Sequence, residues 1–401
     1  MFGRLRDNFF NEPIFFLMLI AIAMPISYAT WSALVNNFVV EVANFSGIEI
    51  GWLHSIREIP GFLAVGVILI LVFLREQTLA CLALVLLGFA TAITTLLPSF
   101  HGLLLTTILG SIGFHYFETV NQSLQLQWLK KDKAPVILGL LMSVSSLTSL
   151  LAYSIIVFGW KPLNFSFSFI FCTAGLLTFI ISIGALLSFK KFKTSKRLRT
   201  RFVLKKRYWL YYVLEFLAGA RRQIFVVFAS FMMVEKFELE VHQLTALFLI
   251  NLTLVILLGP VIGIFVKNFG ERMVLIIEYL GLVLIFLAYG GIYLFDFSLT
   301  IACSLYVLDH LFFSMGIAKK TYFQKISDPE DIASTTAVAF TINHVAAVFL
   351  PIFLGYLWVS RPDWVFFTAA GLAFLSLSFS FLVPSNPNPH KTSILSKNSD
   401  H

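Results

Sequence analysis

Long apolar stretches of similar length, separated by short polar breaks, follow one another along almost the whole chain. Twelve of them are long enough to cross a bilayer core of about 30 Å, for which a helix needs about 20 residues. They run over about 13–40, 48–74, 79–98, 102–128, 135–158, 165–189, 208–234, 242–266, 273–295, 298–322, 333–358 and 363–383. The breaks carry charge or turn residues, as in Arg75-Glu76-Gln77, Ser99-Phe100-His101, Lys130-Lys131-Asp132-Lys133 and Asp328-Pro329-Glu330-Asp331. Periodicity alone does not separate a buried strand from a buried helix, but length does, because strands seldom pass about ten residues. The runs are apolar on every face rather than on alternate residues, which excludes the strands of a membrane barrel. The pattern predicts an all-α polytopic membrane protein with twelve transmembrane helices.

Composition agrees. The 401-residue chain is 58% hydrophobic and 12% charged, against about 25% charged in an ordinary soluble protein. Its mean hydropathy is +0.88 and it holds 44 Phe, so too few polar residues exist to coat a water-soluble globule. The net charge of +8 would suggest nucleic acid if the bases were evenly spread, but they gather in alternate breaks. One set holds Arg4, Arg6, Arg75, the 130–133 cluster, ten bases from Lys190 to Arg207, Lys267, Arg272, Lys319, Lys320, Lys325, Lys391 and Lys397. The other set holds Glu41, Glu49, Glu235, Glu238, Glu240, Asp296 and Asp363, with only Lys161, Lys236 and Arg361. By the positive-inside rule both termini are expected on the cytoplasmic face of the inner (plasma) membrane, with no nucleic-acid partner. The segment 1–12 has no small-residue cleavage site before the first span, which is therefore expected to be retained. Cys81, Cys172 and Cys303 stand singly in apolar runs and are expected to be small buried hydrophobes.

The basic stretch 190–207 divides the spans six and six, into halves 13–189 and 208–383, followed by a Pro-, Ser- and Asn-rich segment 384–401 expected to be disordered. Sliding one half along the other by about 195 positions aligns His115 with His310 and the Lys130–Pro135 turn with Lys325–Glu330. Twelve spans as six plus six, a long basic central loop and cytoplasmic termini resemble the major facilitator superfamily of secondary transporters. The resemblance covers about residues 13–383. The loop after span eight, Gly263-Ile-Phe-Val-Lys267-Asn268-Phe-Gly270-Glu271-Arg272, is similar to that family's signature loop, departing at Lys267, Asn268 and Glu271. Gly263, Lys267, Gly270 and Arg272 are its gating candidates. The resemblance implies two six-helix bundles rocking about a midplane cavity lined by spans one, four, seven and ten.

Ionisable groups are costly in hydrocarbon, by about 2.5–3.5 kcal/mol each even on insertion scales, so each needs a partner, water or a function. The chain places Arg57 and Glu58 in span two, His115 and Glu118 in span four, and Glu215, Arg221 and Arg222 in span seven. Glu278 follows in span nine, Asp309 and His310 in span ten, and His344 in span eleven. His115 and Glu118, three apart, share a helix face that Asn121, Gln122 and Gln125 extend. Arg221 and Arg222 are about 100° apart around their helix and cannot both face one point. One is expected to face the cavity and the other a protein acid. A guanidinium stays charged and grips carboxylate or phosphate in bidentate fashion, which points to an anionic substrate. The reading is a secondary carrier for a small organic anion or anionic metal chelate. Arg221, Arg222, Trp31, Asn121, Gln122 and Asn343 bind the substrate, and Glu118, Asp309, His115 and His310 carry a coupling proton. Arg57 with Glu58 is expected to be a gate pair, whereas Glu215 and Glu278 reach interfacial water and Lys319 and Lys320 snorkel.

An alternative for the mid-span charges is a fixed salt-bridge network that only steadies one conformation. Nucleotide, CxxC and HExxH patterns are absent, so no cofactor or metal is expected and the protein is not expected to be an enzyme. A monomer, in the bilayer with a small-molecule substrate, is the expected form. A non-transporting sensor or assembly partner on the same fold stays open, favoured by the departures in the signature loop. So does a membrane-embedded enzyme, although no nucleophile or metal constellation can be assembled for one.

Overall fold

The computed structural model describes residues 13–63, 66–129, 134–192, 204–328 and 331–395. The N-terminal segment 1–12, the 130–133 cluster, residues 193–203 of the basic linker and residues 396–401 lie outside the described residues. Regular structure among the described residues is helical, apart from one isolated bridge between Asn388 and Lys391. In chain order the helices are α1 (Pro13–Glu41), α2 (Gly47–Phe62), α3 (Gly66–Ile70), α4 (Glu76–Ile93), α5 (Phe100–Trp128), α6 (Ala134–Gly159) and α7 (Phe167–Ser188). They continue with α8 (Trp209–Ile224), α9 (Ser230–Glu235), α10 (Val241–Phe295), α11 (Leu299–Ser314), α12 (Ile317–Ile326), α13 (Ile332–Ser360) and α14 (Pro362–Ser380).

Ten helical stretches among the described residues are long and apolar enough to cross a membrane, rather than the twelve expected. Two differences account for this. Of the expected span 48–74, α2 and α3 are described on either side of residues 64–65, with Pro60 in the last turn of α2, where it has no amide hydrogen to give to the preceding turn. The 55-residue α10 joins two expected spans across a kink at Gly270. Its 55 residues are two helical arms, one on each side of Gly270, rather than one continuous helix. Gly270 has φ 78° and ψ 160°, a combination that residues with a Cβ avoid.

The chain forms two compact units. Among the described residues, unit 1 falls within 13–45, 56–192 and 240–246, and unit 2 within 46–55, 204–239 and 247–395. These differ from the expected halves by an exchange of two short segments, 46–55 and 240–246, which the internal offset near 195 relates to each other.

In unit 1, α4 lies against α7 at backbone contact. A Cβ on Gly88 would stand 2.7 Å from the Gly175 carbonyl oxygen, and one on Gly175 would stand 2.4 Å from the Gly88 carbonyl oxygen. Small residues replace apolar bulk here because lipid supplies no hydrophobic drive, so close van der Waals contact carries the association. Pro25 interrupts the hydrogen-bond ladder of α1; Thr178 of α7 donates to the Ala23 carbonyl at 2.9 Å and accepts from Ser27 at 2.8 Å. Phe16, Leu17, Ile20, Cys81, Leu84, Phe117 and Leu124 form the core of this unit. Met142, Phe158 and Leu187 are more than 70% exposed, as side chains facing acyl chains should be. Cys81 is buried but Cys303 is half-buried and Cys172 exposed, which corrects the expectation that all three are internal. Cys172 sits on the uncovered side of α7, where a thiol suits lipid as well as a methyl group does.

In unit 2, α8 packs against α13, with Gly219 so close that an added Cβ would meet the Asn343 carbonyl oxygen at 2.4 Å. Between α8 and α9, Phe225–Ala229 form a π-helical turn, a feature that concentrates at functional sites because it re-aims the side chains around it. The segment 384–395 is ordered, contrary to the disorder expected from its composition. Arg207 donates to the Pro389 carbonyl at 2.8 Å, the Ile394 amide to the Leu382 carbonyl at 2.8 Å, and Tyr322 to the Thr392 carbonyl. Val383, Thr392 and Ser393 are buried. A polar composition does not preclude order when folded helix ends supply donors for its backbone.

Beside this cap, Lys205 Nζ lies 2.6 Å from Asp331 Oδ1 and the Tyr208 hydroxyl donates to Oδ2 at 2.8 Å. The Lys205 contact, with help from Tyr208, holds the Asp331 carboxyl below the usual carboxylate range. A depressed folded-state value stabilises above the ordinary carboxylate pKa, and that stabilisation is lost as pH falls through the folded value. Asp331→Asn is therefore expected to lower the melting temperature at neutral pH, with the gap to wild type closing in acid; a gap independent of pH would contradict this. Gly270→Ala is expected to destabilise by about 1–3 kcal/mol, whereas Gly263→Ala, with nothing within 4 Å of its added Cβ, should be neutral. Thermal unfolding in detergent compares the two, and equal effects would remove Gly270 as the corner of α10.

Candidate functional site

Unit 1 carries a polar group where α1, α2 and α5 contribute. The Arg57 guanidinium stands over the Trp31 ring, 5.7 Å from its centroid, and donates from Nε and an NH2 group to Glu58 Oε1 at 3.0 and 2.7 Å. Adjacent residues on a helix diverge by about 100°, so this pairing bends the long Arg57 side chain back along α2. Ser111 of α5 donates to the Arg57 carbonyl, and His115, one turn further along, is 6% exposed. A His115 ring nitrogen lies within 4.8 Å of a Glu58 carboxylate oxygen. Tyr28 stacks on Phe114 at 4.4 Å between centroids. Glu118 is half-buried, and Asn121 accepts from Gln125 at 3.1 Å. Gln122 is exposed, off the face of these residues.

The ionic groups of unit 2 are deeper. Arg221 is 1% exposed; one NH2 lies 3.3 Å from Glu278 Oε1, the other terminal nitrogen 3.4 Å from the Ser376 hydroxyl, and its carbon 5.1 Å from the Tyr279 ring centroid. Asp309 is 2% exposed and couples electrostatically to both Arg221 and Glu278. Its neighbour His310 turns away, half-buried beside Phe225 at 6.3 Å between rings. Arg222 also diverges from Arg221. It is half-buried and donates to Asn343 Oδ1 at 3.0 Å, with its Nε buried and unpartnered. Asn343 in turn donates to the Glu215 carbonyl at 3.1 Å, and Glu215 takes Lys319 at 3.0 Å.

Three expectations are corrected. Glu278, expected to reach interfacial water, is 2% exposed and ion-paired, because neighbouring helices cover it despite its nearness to a helix end. Lys319, expected to snorkel, is 8% exposed and paired with Glu215. Glu215 likewise meets a protein base rather than bulk water. The signal that could have found these pairs is the opposite charges in neighbouring spans: spans seven to ten carry Arg221, Arg222, Lys319 and Lys320 beside Glu215, Glu278 and Asp309.

In the signature-like loop, Lys267 is exposed and Arg272 donates to the Ser385 hydroxyl at 3.4 Å. Glu271, which stands where the family pattern has a base, is buried and paired with Lys325 at 2.7 Å. The acid has its base supplied by α12 instead of by its own loop.

Breaking a buried pair leaves an uncompensated charge, which costs about 3–5 kcal/mol. Arg221→Ala is expected to fall in that range, and adding Glu278→Gln should recover part of the loss. Arg222→Ala should cost less than Arg221→Ala, since it strands no carboxylate. Thermal unfolding of the four proteins checks this, and an Arg221→Ala variant as stable as wild type would remove the pair from the fold's support.

No protein-family model matches the sequence, and no curated protein matches it. Among solved structures the chain is similar to a nucleoside transporter, NupG, with 14% identity, a TM-score of 0.69, and coverage of 91% of this chain and 98% of that one. It is similar to a D-xylose–proton symporter at 13% identity, TM-score 0.72, covering 93% and 98%. A bacterial homologue of the iron transporter ferroportin, in an inward-facing state, is 10% identical with a TM-score of 0.71, covering 92% and 97%. The chain has the fold of the major facilitator superfamily.

Proposed function

We propose that this chain is a secondary carrier that moves a small organic anion, or an anionic metal chelate, by proton-coupled alternating access. The observation that carries the reading is Arg222. Arg221 and Lys319 each meet a carboxylate, whereas among the described residues the Arg222 guanidinium meets the neutral amide of Asn343 and keeps a buried, unpartnered Nε. A guanidinium in hydrocarbon needs a negative partner, and a substrate carboxylate or phosphate supplies one with matching geometry. The adjacent π-turn at Phe225–Ala229 fits a helix shaped for binding rather than for regular packing.

The remaining roles follow from position. Arg222 and Asn343 hold the anionic group, and Trp31, Asn121 and Gln122 are further candidates for substrate contact. Arg221 positions α8 through its internal ion pair. Asp309, Glu118, His115 and His310 are the groups able to exchange protons, and Arg57 with Glu58 forms a gate pair beside Trp31. The solved neighbours are named as carriers of a nucleoside, a sugar with a proton, and iron, which supports solute movement over catalysis. The distribution of Lys and Arg supports cytoplasmic termini in the plasma membrane.

Purified protein in proteoliposomes under an imposed pH gradient, offered radiolabelled dicarboxylates, sugar phosphates and ferric citrate, tests the reading. Arg222→Gln is expected to weaken uptake of the transported anion about tenfold or more, since a hydrogen bond to a charged group is worth about 1.5–3 kcal/mol. Arg222→Lys should retain part of it. Unchanged uptake by a folded Arg222→Gln protein, or accumulation only of neutral solutes, would refute the anion reading.

A further inference from the structure

The strap 384–395 of unit 2 has an inverted polarity. Helix α14, Pro362–Ser380, has 19 residues, about 28 Å at ~1.5 Å per residue, which matches the thickness of a bilayer core. Leu382 therefore lies where this span leaves the hydrocarbon. Beyond it the chain turns through the bridge between Asn388 and Lys391 and comes back, so that the Ile394 amide donates to the Leu382 carbonyl at 2.8 Å. Residues 394 and 395 are thus returned to the level of the helix end. Thr392 and Ser393 are 7% and 1% exposed, whereas Ile394 and Leu395 are 48% and 65% exposed. A strap surrounded by water would do the reverse, with its aliphatic side chains inside and its hydroxyls outside. The orientation is fixed from within the protein, since Tyr322 of α12 donates to the Thr392 carbonyl. Phe381, on the last turn before the strap, is exposed as well.

The rim that the strap rests on is basic. Its acids are matched: Asp331 meets Lys205 at 2.6 Å, Asp328 meets Arg207 at 2.6 Å and Glu271 meets Lys325 at 2.7 Å. The strap joins these segments, because Arg207 also donates to the Pro389 carbonyl and Arg272 to the Ser385 hydroxyl. Lys206, Lys267, Lys320 and Lys391, on the same segments and the strap itself, are exposed and have no acid partner among the described residues. Exposed apolar side chains stand beside them: Leu204 next to the Lys205–Arg207 run, and Phe269 and Met273 on either side of Arg272.

We propose that the strap is a membrane-surface anchor, with Ile394 and Leu395 among the upper acyl chains beside Phe381 and the spare lysines of the rim gathering anionic phospholipid. Aliphatic side chains flanked by Lys and Arg are the composition by which surface segments hold an anionic bilayer. The lysines need no acid of the protein, because head groups supply negative charge at the level where the hydrocarbon ends. The anchor ties the leaflet surface to the corner of α10 and to the entry of α8. It does not depend on the carrier reading or on which solute is moved.

The test uses the full-length wild-type protein in nanodiscs of phosphatidylglycerol or of phosphatidylcholine, each doped with a phospholipid that carries a diazirine on its upper acyl chain. After illumination, peptide mass spectrometry locates the modified residues. Lipid-borne label is expected at Ile394 and Leu395 and not at Pro389 or His390, and a water-soluble diazirine should give the opposite pattern. Label at 394–395 should be stronger in phosphatidylglycerol, and a Lys206→Gln/Lys391→Gln protein should lose that difference. Ile394→Ser/Leu395→Ser, with folding checked by size exclusion, should lose the lipid-borne label on the strap. Water-borne label alone at Ile394 and Leu395 overturns the proposal, and so does cross-linking of these residues to a second copy of the chain in place of lipid. Equal label in the two bilayers overturns the anionic assignment.

Discussion

Hydrocarbon gives an ion nothing to bind except another part of the protein, and the ion pair between Arg221 and Glu278 shows how this fold answers that constraint. At 3.3 Å, with both residues almost fully buried, it joins α8 to the second arm of α10, while Ser376 brings in α14 and Tyr279 covers the guanidinium face. The joint effect of these contacts is to fix the rotation of α8 about its axis, and that rotation decides where the neighbouring residue, Arg222, must point. The chemistry of the second guanidinium is thus a consequence of the packing of the first.

The same logic recurs in unit 1 on a smaller scale. Arg57 is held by Glu58 on its own helix and by the face of Trp31 on α1, and Ser111 fixes the backbone beneath it. Arg57 in unit 1 and Arg221 in unit 2 thus each touch side chains from more than one helix.

The architecture was largely legible in the order of apolar runs and basic breaks, because a bilayer imposes helix length and charge asymmetry directly on sequence. Less legible was anything set by local backbone geometry. Pro60 sits in the last turn of α2 without announcing itself in the second run, and Gly270 looks like one residue of a signature loop rather than the non-helical corner between the two arms of α10. The segment after Pro384 is polar yet ordered, since its partners, Arg207, Tyr322 and Arg272, are remote in sequence. At the candidate site, the 100° rule separated Arg221 from Arg222 without saying which one would be internal. Counting residues to the helix end misplaced Glu278, because depth along a helix says nothing about lateral cover.

The account rests on a division between two adjacent guanidiniums, one bound into the fold and the other left to meet an anion. Dicarbonyl modification of the folded protein, followed by peptide mass spectrometry with and without the transported solute, measures it directly. The account predicts that Arg222 is modified, that solute protects it, and that Arg221 is modified only on unfolding. Equal modification of both in the folded protein, or protection of neither by any transported solute, would contradict it.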